Sequence, residues 1–320
     1  MSPLTATALE SNVLGKIPAK LLVLKNGTVL PLTTPELRRS SGKYLTRRGL
    51  WLANGLIRKG VLRVLGSPWL PGFWVISPEE AQAGLYTFQE NARKCPLFLS
   101  ITNAPVEAPG WHSYKGDPFM VLNVQWNNWE EYVAAMKKKY RARVRKTLKV
   151  NAALDVVSLP LTGANLEHCA QLLEETLKDK VVALPSDLTR LLGMFQDCFE
   201  SNFKIYGFKK EGRLVGFISC VRDGEVLRAM HFGATDEAPE DFYSFAMFTL
   251  IKDGIESKVN KIDLGRTATE IKSTYGAVAE QNYFSFYSSG WLFKLALKLA
   301  DHYYVPKPYT LRSPFGDVSK

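Results

Sequence analysis

The feature that most constrains the fold of this chain is a run of three apolar segments separated by two short polar turns. The segments are residues 203–208, 214–221 and 226–232, and the turns contain Gly212 and Gly224, each preceded by an acidic residue. A polar residue followed by glycine is typical of a tight hairpin turn. The sequence therefore predicts three consecutive antiparallel strands, and the chain must fold around a sheet.

Helical and extended patterns surround these strands. The other predicted elements of the second half are helices at 165–177, 185–198, 242–255 and 291–302 and strands at 154–159, 261–264 and 282–287. This mixture predicts an α+β protein built on a mixed sheet. The tail, residues 306–320, is expected either to fold back on the domain or to be loosely ordered.

The first part of the chain is less regular. Asn26-Gly27 between two apolar segments predicts a hairpin, because this pair tolerates the positive φ angles of a type I′ turn. The remaining elements predicted before residue 125 are helices at 50–57 and 78–92, strands at 61–64, 97–101 and 119–124, and a rigid aromatic loop at 66–72.

A strongly basic helix is predicted between the two halves. Asn128 can cap its start, and Glu131 can return a hydrogen bond to the cap. Apolar residues then recur at helical spacing for about 20 residues. Eight Lys and Arg residues and no acid lie between Tyr132 and Leu154. Such a face is either a solvated surface or a contact for an anion.

The net charge of +10 is concentrated in the first half. Residues 1–150 contain 22 Lys and Arg against 9 Asp and Glu, whereas residues 151–320 contain 19 against 22. This asymmetry predicts that the first half, or its border with the second, meets an anionic partner. Nucleic acid, a nucleotide-linked substrate, coenzyme A and an anionic membrane all fit.

Composition excludes several other classes of protein. With 46% hydrophobic and 22% charged residues, the chain is neither disordered nor collagen-like. It contains no apolar stretch long enough for a membrane span and no signal-peptide pattern in residues 1–15, which predicts a cytoplasmic protein. The four cysteines lack CxxC spacing and no HxH or HExxH motif is present, so no metal is predicted.

Four segments stand out by their order and spacing. They are the strand and basic helix 119–148, the hairpin 206–216 (YGFKKEGRLVG), the strand–loop–helix 231–250 (HFGATDEAPEDFYSFAMFTL) and the stretch 263–277 (DLGRTATEIKSTYGA). Together they resemble the FemABX-like and acetyltransferase-6 branch of the GNAT acyltransferase superfamily, which includes peptidoglycan-bridge aminoacyltransferases. The first third of the chain matches this branch only in outline.

The resemblance implies two GNAT-like domains joined by the basic helix. Residues 1–150 would form a degenerate N-terminal domain that includes this helix, and residues 151–320 a catalytic C-terminal domain. The implied reaction moves an acyl or aminoacyl group from acyl-CoA or aminoacyl-tRNA to an amine. The pyrophosphate loop of acetyl-CoA enzymes is missing at residues 233–236, so both donors stay open.

Lys272 is the first candidate for chemistry. Acyl transfer develops negative charge on the carbonyl oxygen, which a fixed cation stabilises, and the resemblance implies this role, or a contact with the donor's phosphates, for Lys272. Asp263 is either a general base or the ion-pair partner of Arg266 or Lys272. Glu270 is a second candidate base. Tyr275 is a candidate proton donor to the leaving group, or a packed tyrosine with a wet hydroxyl.

Other residues are candidates for binding the donor or acceptor: Arg266, Arg141, Arg145, Arg228, Ser244, Gly265 and Gly276. Arg266 follows Gly265 at a strand end, where its planar guanidinium suits a phosphate, although an ion pair with Asp263 or Glu270 is an equal alternative. Arg141 and Arg145 are one helical turn apart and could clamp a phosphate. Ser244 lies near a helix start, where free N–H groups attract anions.

The remaining candidates depend on which way a strand faces. Arg228 and His231 lie on opposite faces of one predicted strand, so only one of them faces a cleft. A lone histidine is more often a core residue, so His231 is not a candidate. Gly276 could help Tyr275 to close the pocket.

Two functions from different classes remain. The first is an acyltransferase that works by direct attack, since no Ser/His/Asp or Cys/His arrangement for a covalent intermediate is visible. The alternative is a non-catalytic protein of the same fold that uses its basic half on RNA or an anionic membrane, with helix 291–302 lying on lipid or closing the second domain. Binding of one donor that survives salt would distinguish the first from the second.

Overall fold

The computed structural model describes residues 19–24, 29–33, 61–66, 75–91, 97–160, 162–177, 187–303 and 309–315. These residues form two seven-stranded sheets with helices packed on them. The predicted turn at Asn26-Gly27, the helix 50–57 and most of the loop 66–72 lie outside the described residues.

The first sheet contains most of the early strands. Its members are β1 (Ala19–Val23), β2 (Val29–Thr33), β3 (Leu62–Leu65), β4 (Val75–Ile76), β5 (Leu97–Thr102), β6 (Trp111–Lys115) and β14 (Tyr283–Ser288). The order is β1-β2-β3-β5-β14-β6, with β4 also beside β5. Strands β3 and β4 run parallel to β5, and the other pairs are antiparallel. Helix α1 (Pro78–Asn91) contributes to the same core.

The second sheet contains the three strands that the turns predict. Its members are β7 (Phe119–Asn123), β8 (Asp155–Ser158), β9 (Phe203–Lys210), β10 (Arg213–Asp223), β11 (Val226–Ala234), β12 (Lys261–Asp263) and β13 (Val278–Glu280). The order is β13-β7-β12-β11-β10-β9-β8. Gly212 and Gly224 have φ angles of 78° and 61°, a region that side chains with a Cβ rarely adopt, so the antiparallel meander β9–β10–β11 is confirmed with its turns.

Helices cover both faces of the second sheet. They are α2 (Trp129–Ala135), α3 (Lys138–Val150), α4 (Gly163–Leu177), α5 (Leu188–Phe199), α6 (Phe242–Glu256) and α7 (Thr269–Ser273). Helix α8 (Trp291–Tyr303) packs instead against β6 and β14 of the first sheet. Side chains of β10 alternate between the two cores: Phe217 and Val221 belong to the cluster with α4 and α5, whereas Ile218 and Cys220 belong to the cluster with α6. The predicted α+β class with a mixed sheet is confirmed.

Each sheet contains one strand from the other part of the chain. Strand β7 lies between β12 and β13 in the second sheet, and β14 lies between β5 and β6 in the first. The boundary between residues 150 and 151 stays a prediction. These pairings link the segments on its two sides directly.

The expectation of one basic helix of about 20 residues is wrong. Helix α2 ends at Ala135, and Met136 has an extended backbone with ψ 148°. There Lys137 N donates a hydrogen bond to Pro314 O at 2.8 Å, and Met136 forms a β-bridge with Phe315. The helix is interrupted because the end of the chain packs against it, which confirms that the described tail residues 309–315 fold back.

Three short strands and one short helix are absent from the predicted elements. Strands β4, β6 and β13 and helix α7 have only two to five residues each. Segments of this length are too short to display a clear period in the sequence.

Candidate active site at the end of strand β12

The chain reverses direction sharply after β12. Asp263 Oδ1 accepts a hydrogen bond from Gly265 N at 2.8 Å, and Gly265 has a φ angle of 76°. Thr267 and Ala268 also have positive φ angles, of 66° and 48°. Backbone in this region is strained for residues other than glycine and is kept only where the surroundings hold it. The reversal brings α7 back against the loop that precedes it.

Lys272 lies in the concavity of this reversal and is 3% exposed. Its Nζ donates hydrogen bonds to Arg266 O at 2.7 Å and to Gly265 O at 3.2 Å. Burial lowers the pKa of the lysine to about 8; Asp263 opposes this shift and Arg266 adds to it. Both hydrogen-bond acceptors are neutral carbonyls, so the ammonium keeps a positive charge that another ligand can use.

Asp263 is held by Arg228. Because β11 and β12 run parallel with Arg228 opposite Asp263, the guanidinium reaches across, and its Nη1 lies 2.9 Å from Asp263 Oδ2. It also contacts Asp223 Oδ2 at 3.4 Å. The predicted ion pair of Asp263 is therefore present, but its partner is Arg228 instead of Arg266 or Lys272.

Arg266 occupies an aromatic clamp. Its guanidinium carbon lies 5.7 Å from the ring centroid of Phe119 on β7 and 5.7 Å from that of Phe284 on β14. Burial lowers the pKa of Arg266, and Asp117 and Asp263 oppose this shift. Cation–π contacts of this kind favour a fixed guanidinium. Arg266 thus joins a strand of each sheet and holds one of the two carbonyls that face Lys272.

A second polar pair lies behind α7. The hydroxyl of Tyr275 donates to Ser244 Oγ at 2.9 Å, and Ser244 is the third residue of α6. Tyr132 OH in turn donates to Tyr275 O at 2.9 Å. Burial raises the pKa of Tyr275 by more than Ser244 and Arg143 lower it, so the phenol stays protonated at neutral pH.

Gly276 ends this segment with a φ angle of 93°. A Cβ atom there would collide with the ring of Phe315. The glycine is needed both for the backbone conformation and for the close approach of the tail.

Three other candidates have different surroundings from Lys272. Glu270 Oε1 accepts a hydrogen bond from Arg312 Nε at 3.2 Å at the surface. Arg141 Nη1 donates to Ala134 O at 3.0 Å and also to Met136 O, so it caps the end of α2. Arg145 is exposed on α3. The structure therefore does not bring Glu270 into the site, and Arg141 is occupied elsewhere than in the predicted two-arginine clamp.

Arg143 is the residue that sequence reasoning missed. Its charge is one of the smaller influences on the pKa of Tyr275, which it lowers, although the two residues are far apart in the sequence. The available signal was its place in the basic segment Lys139–Lys146, where alternate residues are cationic.

His231 is a core histidine, as predicted. Its ring meets that of Phe195 edge-on at 5.0 Å, and its Nδ1 lies 3.3 Å from Ser219 Oγ. Burial lowers its pKa to about 4. Among the described residues, no group of His, Cys, Asp and Glu could hold a metal ion, and none of their helices is long and apolar enough to cross a membrane.

Comparison with known proteins identifies the fold. No family model matches the chain, and no curated protein matches it. Among solved structures, L-PGS from Bacillus licheniformis is 13% identical, with a TM-score of 0.56 over 94% of this chain and 95% of that one. FemX is 12% identical, with a TM-score of 0.54 over 90% and 93%.

A third similar structure is the C-terminal domain of an Agrobacterium fabrum protein described as a lysylphosphatidylglycerol synthetase. It is 12% identical, with a TM-score of 0.54 over 95% of this chain and 92% of that one. Identities this low establish the fold alone. The chain thus shares the fold of L-PGS and FemX over nearly its whole length, as its resemblance to the FemABX-like branch predicts.

Proposed function

We propose that this chain is an acyltransferase that moves an acyl or aminoacyl group from an activated donor to an amine. The observation that carries the proposal is the buried ammonium of Lys272, held by two neutral carbonyls at the carboxyl end of β12. A preorganised cation of this kind stabilises an oxyanion that develops only in the transition state. The fold shared with FemX and L-PGS supports the same class of reaction.

The proposed reaction is a direct displacement. The amine nitrogen attacks the donor carbonyl, a C–N bond forms, and the C–S or C–O bond of the donor breaks. The amine proton leaves to water, because both oxygens of Asp263 are already hydrogen-bonded. Lys272 stabilises the oxyanion, and the Tyr275–Ser244 pair supplies a proton to the leaving group. The proton that the amine gives to water is returned from water to the pair.

The main-chain amides before α6 favour a charged tRNA over acyl-CoA as the donor. Ala234 N donates to Thr176 Oγ1 at 3.1 Å, Thr235 N donates to Val215 O at 2.9 Å, and Glu237 N donates to Thr235 Oγ1 at 3.2 Å. These amides are satisfied internally and are not directed at a pyrophosphate. The exposed cations of α3 suit a longer polyanion.

Thermal unfolding with three ligands tests the donor. Charged tRNA, the same tRNA without its amino acid, and acetyl-CoA are each added at low and at high salt. A ligand at 100 times its dissociation constant stabilises the fold by about 2.7 kcal/mol. We expect the larger shift with charged tRNA. A salt-resistant shift with acetyl-CoA alone would instead make the donor a thioester.

Replacing Lys272 tests the mechanism. We expect Lys272→Met to lower the rate of acyl transfer at least ~100-fold, the scale on which a single transition-state donor acts. Lys252→Met is the matched control, because Lys252 is half-exposed on α6 and, within the described part of the chain, its ion-pair partner is Glu256. Circular dichroism would show whether both variants fold. A folded Lys272→Met protein with an unchanged rate would remove Lys272 from the mechanism.

The non-catalytic alternative makes a different prediction. A protein that uses its basic half on RNA would bind charged tRNA, uncharged tRNA and other polyanions alike, and this binding would be lost at high salt. That result, together with no added stabilisation by acetyl-CoA or by the amino acid on charged tRNA, would overturn the acyltransferase proposal.

A further inference from the structure

Helix α8 presents an apolar face that the described part of the fold does not cover. Trp291 is 72% exposed, Leu292 is 60% exposed and Leu295 is 49% exposed. These positions fall within an arc of roughly 100° on a helix with 3.6 residues per turn. We call this surface, together with Lys294 and Lys298, the α8 outer face.

The opposite side of α8 is attached to the first sheet. Phe293 and Leu297 are half-buried on that side. The hydroxyl of Tyr114 on β6 donates a hydrogen bond to Leu297 O at 2.5 Å. Because this side is fixed, the outer face cannot turn inward without breaking these contacts.

Charge flanks the apolar residues. Lys294 and Lys298 are exposed on one edge of the outer face, and the first turn of α8 contains no acid. The whole chain carries a net charge of +10. A tryptophan and leucines bordered by lysines are the composition of helices that lie in the interface of an anionic bilayer.

We propose that the α8 outer face docks on an anionic lipid bilayer, with the helix axis parallel to the membrane plane. The leucines enter the acyl boundary, the indole of Trp291 lies at headgroup depth, and the two ammonium groups meet lipid phosphates. The proposal does not depend on the proposed acyl transfer, because it rests only on exposure and charge at α8.

Two other occupants fit the charges less well. In a two-fold dimer through this face, the lysines of one copy would approach those of the other, which costs free energy. An RNA would use the cations and could stack on the indole, but it would leave Leu292 and Leu295 exposed to water. A bilayer satisfies both the apolar and the cationic residues.

A short series of neighbouring residues links the docked helix to the candidate active site. Tyr114, which holds α8, is directly opposite Phe284 in the pairing of β6 with β14. Phe284 is one of the two rings that clamp Arg266. Docking would therefore hold the Lys272 site at a fixed distance from the membrane surface.

Vesicle flotation of the full chain tests the proposal. The probes are phosphatidylcholine vesicles with and without phosphatidylserine. We expect flotation with the anionic vesicles, and we expect Trp291→Ser/Leu295→Ser to weaken it by ~10-fold or more. Val23→Ser/Val156→Ser is the matched control, since both valines are exposed but belong to β1 and β8; it should float like the wild type.

The lysines have their own expected effect. Lys294→Gln/Lys298→Gln should weaken binding to anionic vesicles about 30-fold, because each cation near such a surface contributes on the order of 1 kcal/mol. Weak binding to neutral vesicles should not change.

Three results would overturn the proposal. The first is unchanged flotation of Trp291→Ser/Leu295→Ser, which would show that the apolar residues do not enter the bilayer. The second is a lipid-free dimer that this variant converts to a monomer in sedimentation, which would make the face an interface between copies. The third is a wild-type chain that does not float with anionic vesicles.

Discussion

At the scale of single residues, the ammonium of Lys272 is buried with two neutral carbonyls as its hydrogen-bond partners. Its loss of hydration is therefore compensated only in part, which is why burial lowers its pKa to about 8. The same incomplete pairing that costs stability leaves a positive charge available to a reacting oxygen.

This lysine should make stability depend on pH. Between a folded pKa of about 8 and the ordinary value of 10.5, the unfolded chain binds more protons, so the folded state gains stability as pH rises. From roughly pH 7.5 to roughly pH 9.5 the gain is about 2 kcal/mol. Below that window both states are protonated and the full cost is present.

Urea denaturation at several pH values measures the effect. The free energy of unfolding of wild type should rise relative to that of Lys272→Met across this window, which cancels the titration of the buried tyrosines common to both. Parallel curves for the two proteins would mean that Lys272 titrates normally in the folded state.

The sequence predicted several residues of the site but not which of their side chains contact each other. Lys272, Asp263 and Tyr275 are close together in one distinctive stretch, so they were predicted jointly. The partner of Asp263 is Arg228, which depends on the parallel register of β11 with β12. The rings around Arg266 come from β7 and β14, which lie far from it in the sequence.

At the scale of elements, Arg141 caps the end of α2 at the break between α2 and α3. Its guanidinium donates to two carbonyls at the end of α2, which have no partner within that helix. Arg145, one turn further along α3, is exposed instead. Two arginines of the same helix face thus provide a matched comparison.

We expect Arg141→Met to lower the free energy of unfolding by about 1–2 kcal/mol, because it leaves helix-end carbonyls without a donor. Arg145→Met should change it by less than about 0.5 kcal/mol. Urea unfolding measures both values, and hydrogen exchange near residues 133–136 should become faster only in Arg141→Met. Equal effects of the two substitutions would argue against the cap.

Local sequence predicts an element correctly only where the residues that determine it lie within that element or beside it. The turns at Gly212 and Gly224 lie between the strands they join, and β9, β10 and β11 were predicted correctly. The interruption of the basic helix arises from Pro314 and Phe315, which are more than a hundred residues away. No periodicity within the helix could reveal it.

At the scale of the whole molecule, the exchange of β7 and β14 joins the two sheets. Each of these strands has neighbours on both sides in its sheet, so removing one exposes two rows of unpaired backbone groups. Arg266 adds a contact at the same place, between Phe119 of β7 and Phe284 of β14.

We therefore expect the segments 1–150 and 151–320 not to fold independently. Expressed alone, 151–320 lacks β7, and 1–150 lacks β14. Circular dichroism and urea unfolding should show no cooperative transition for either segment, while mixing them should restore one. A sharp transition of 151–320 by itself would show that β7 is dispensable and would favour autonomous domains.

The position of β14 also has a consequence for synthesis on the ribosome. Strands β5 and β6 are translated about 180 and 170 residues before the strand that separates them, at the typical 5–20 residues per second of translation. For roughly 10 to 40 seconds of elongation the nascent chain carries two open strand edges that could pair wrongly with each other or with a neighbouring chain. A slower translation rate or the loss of nascent-chain chaperones should therefore reduce the yield of folded protein more than its final stability would suggest.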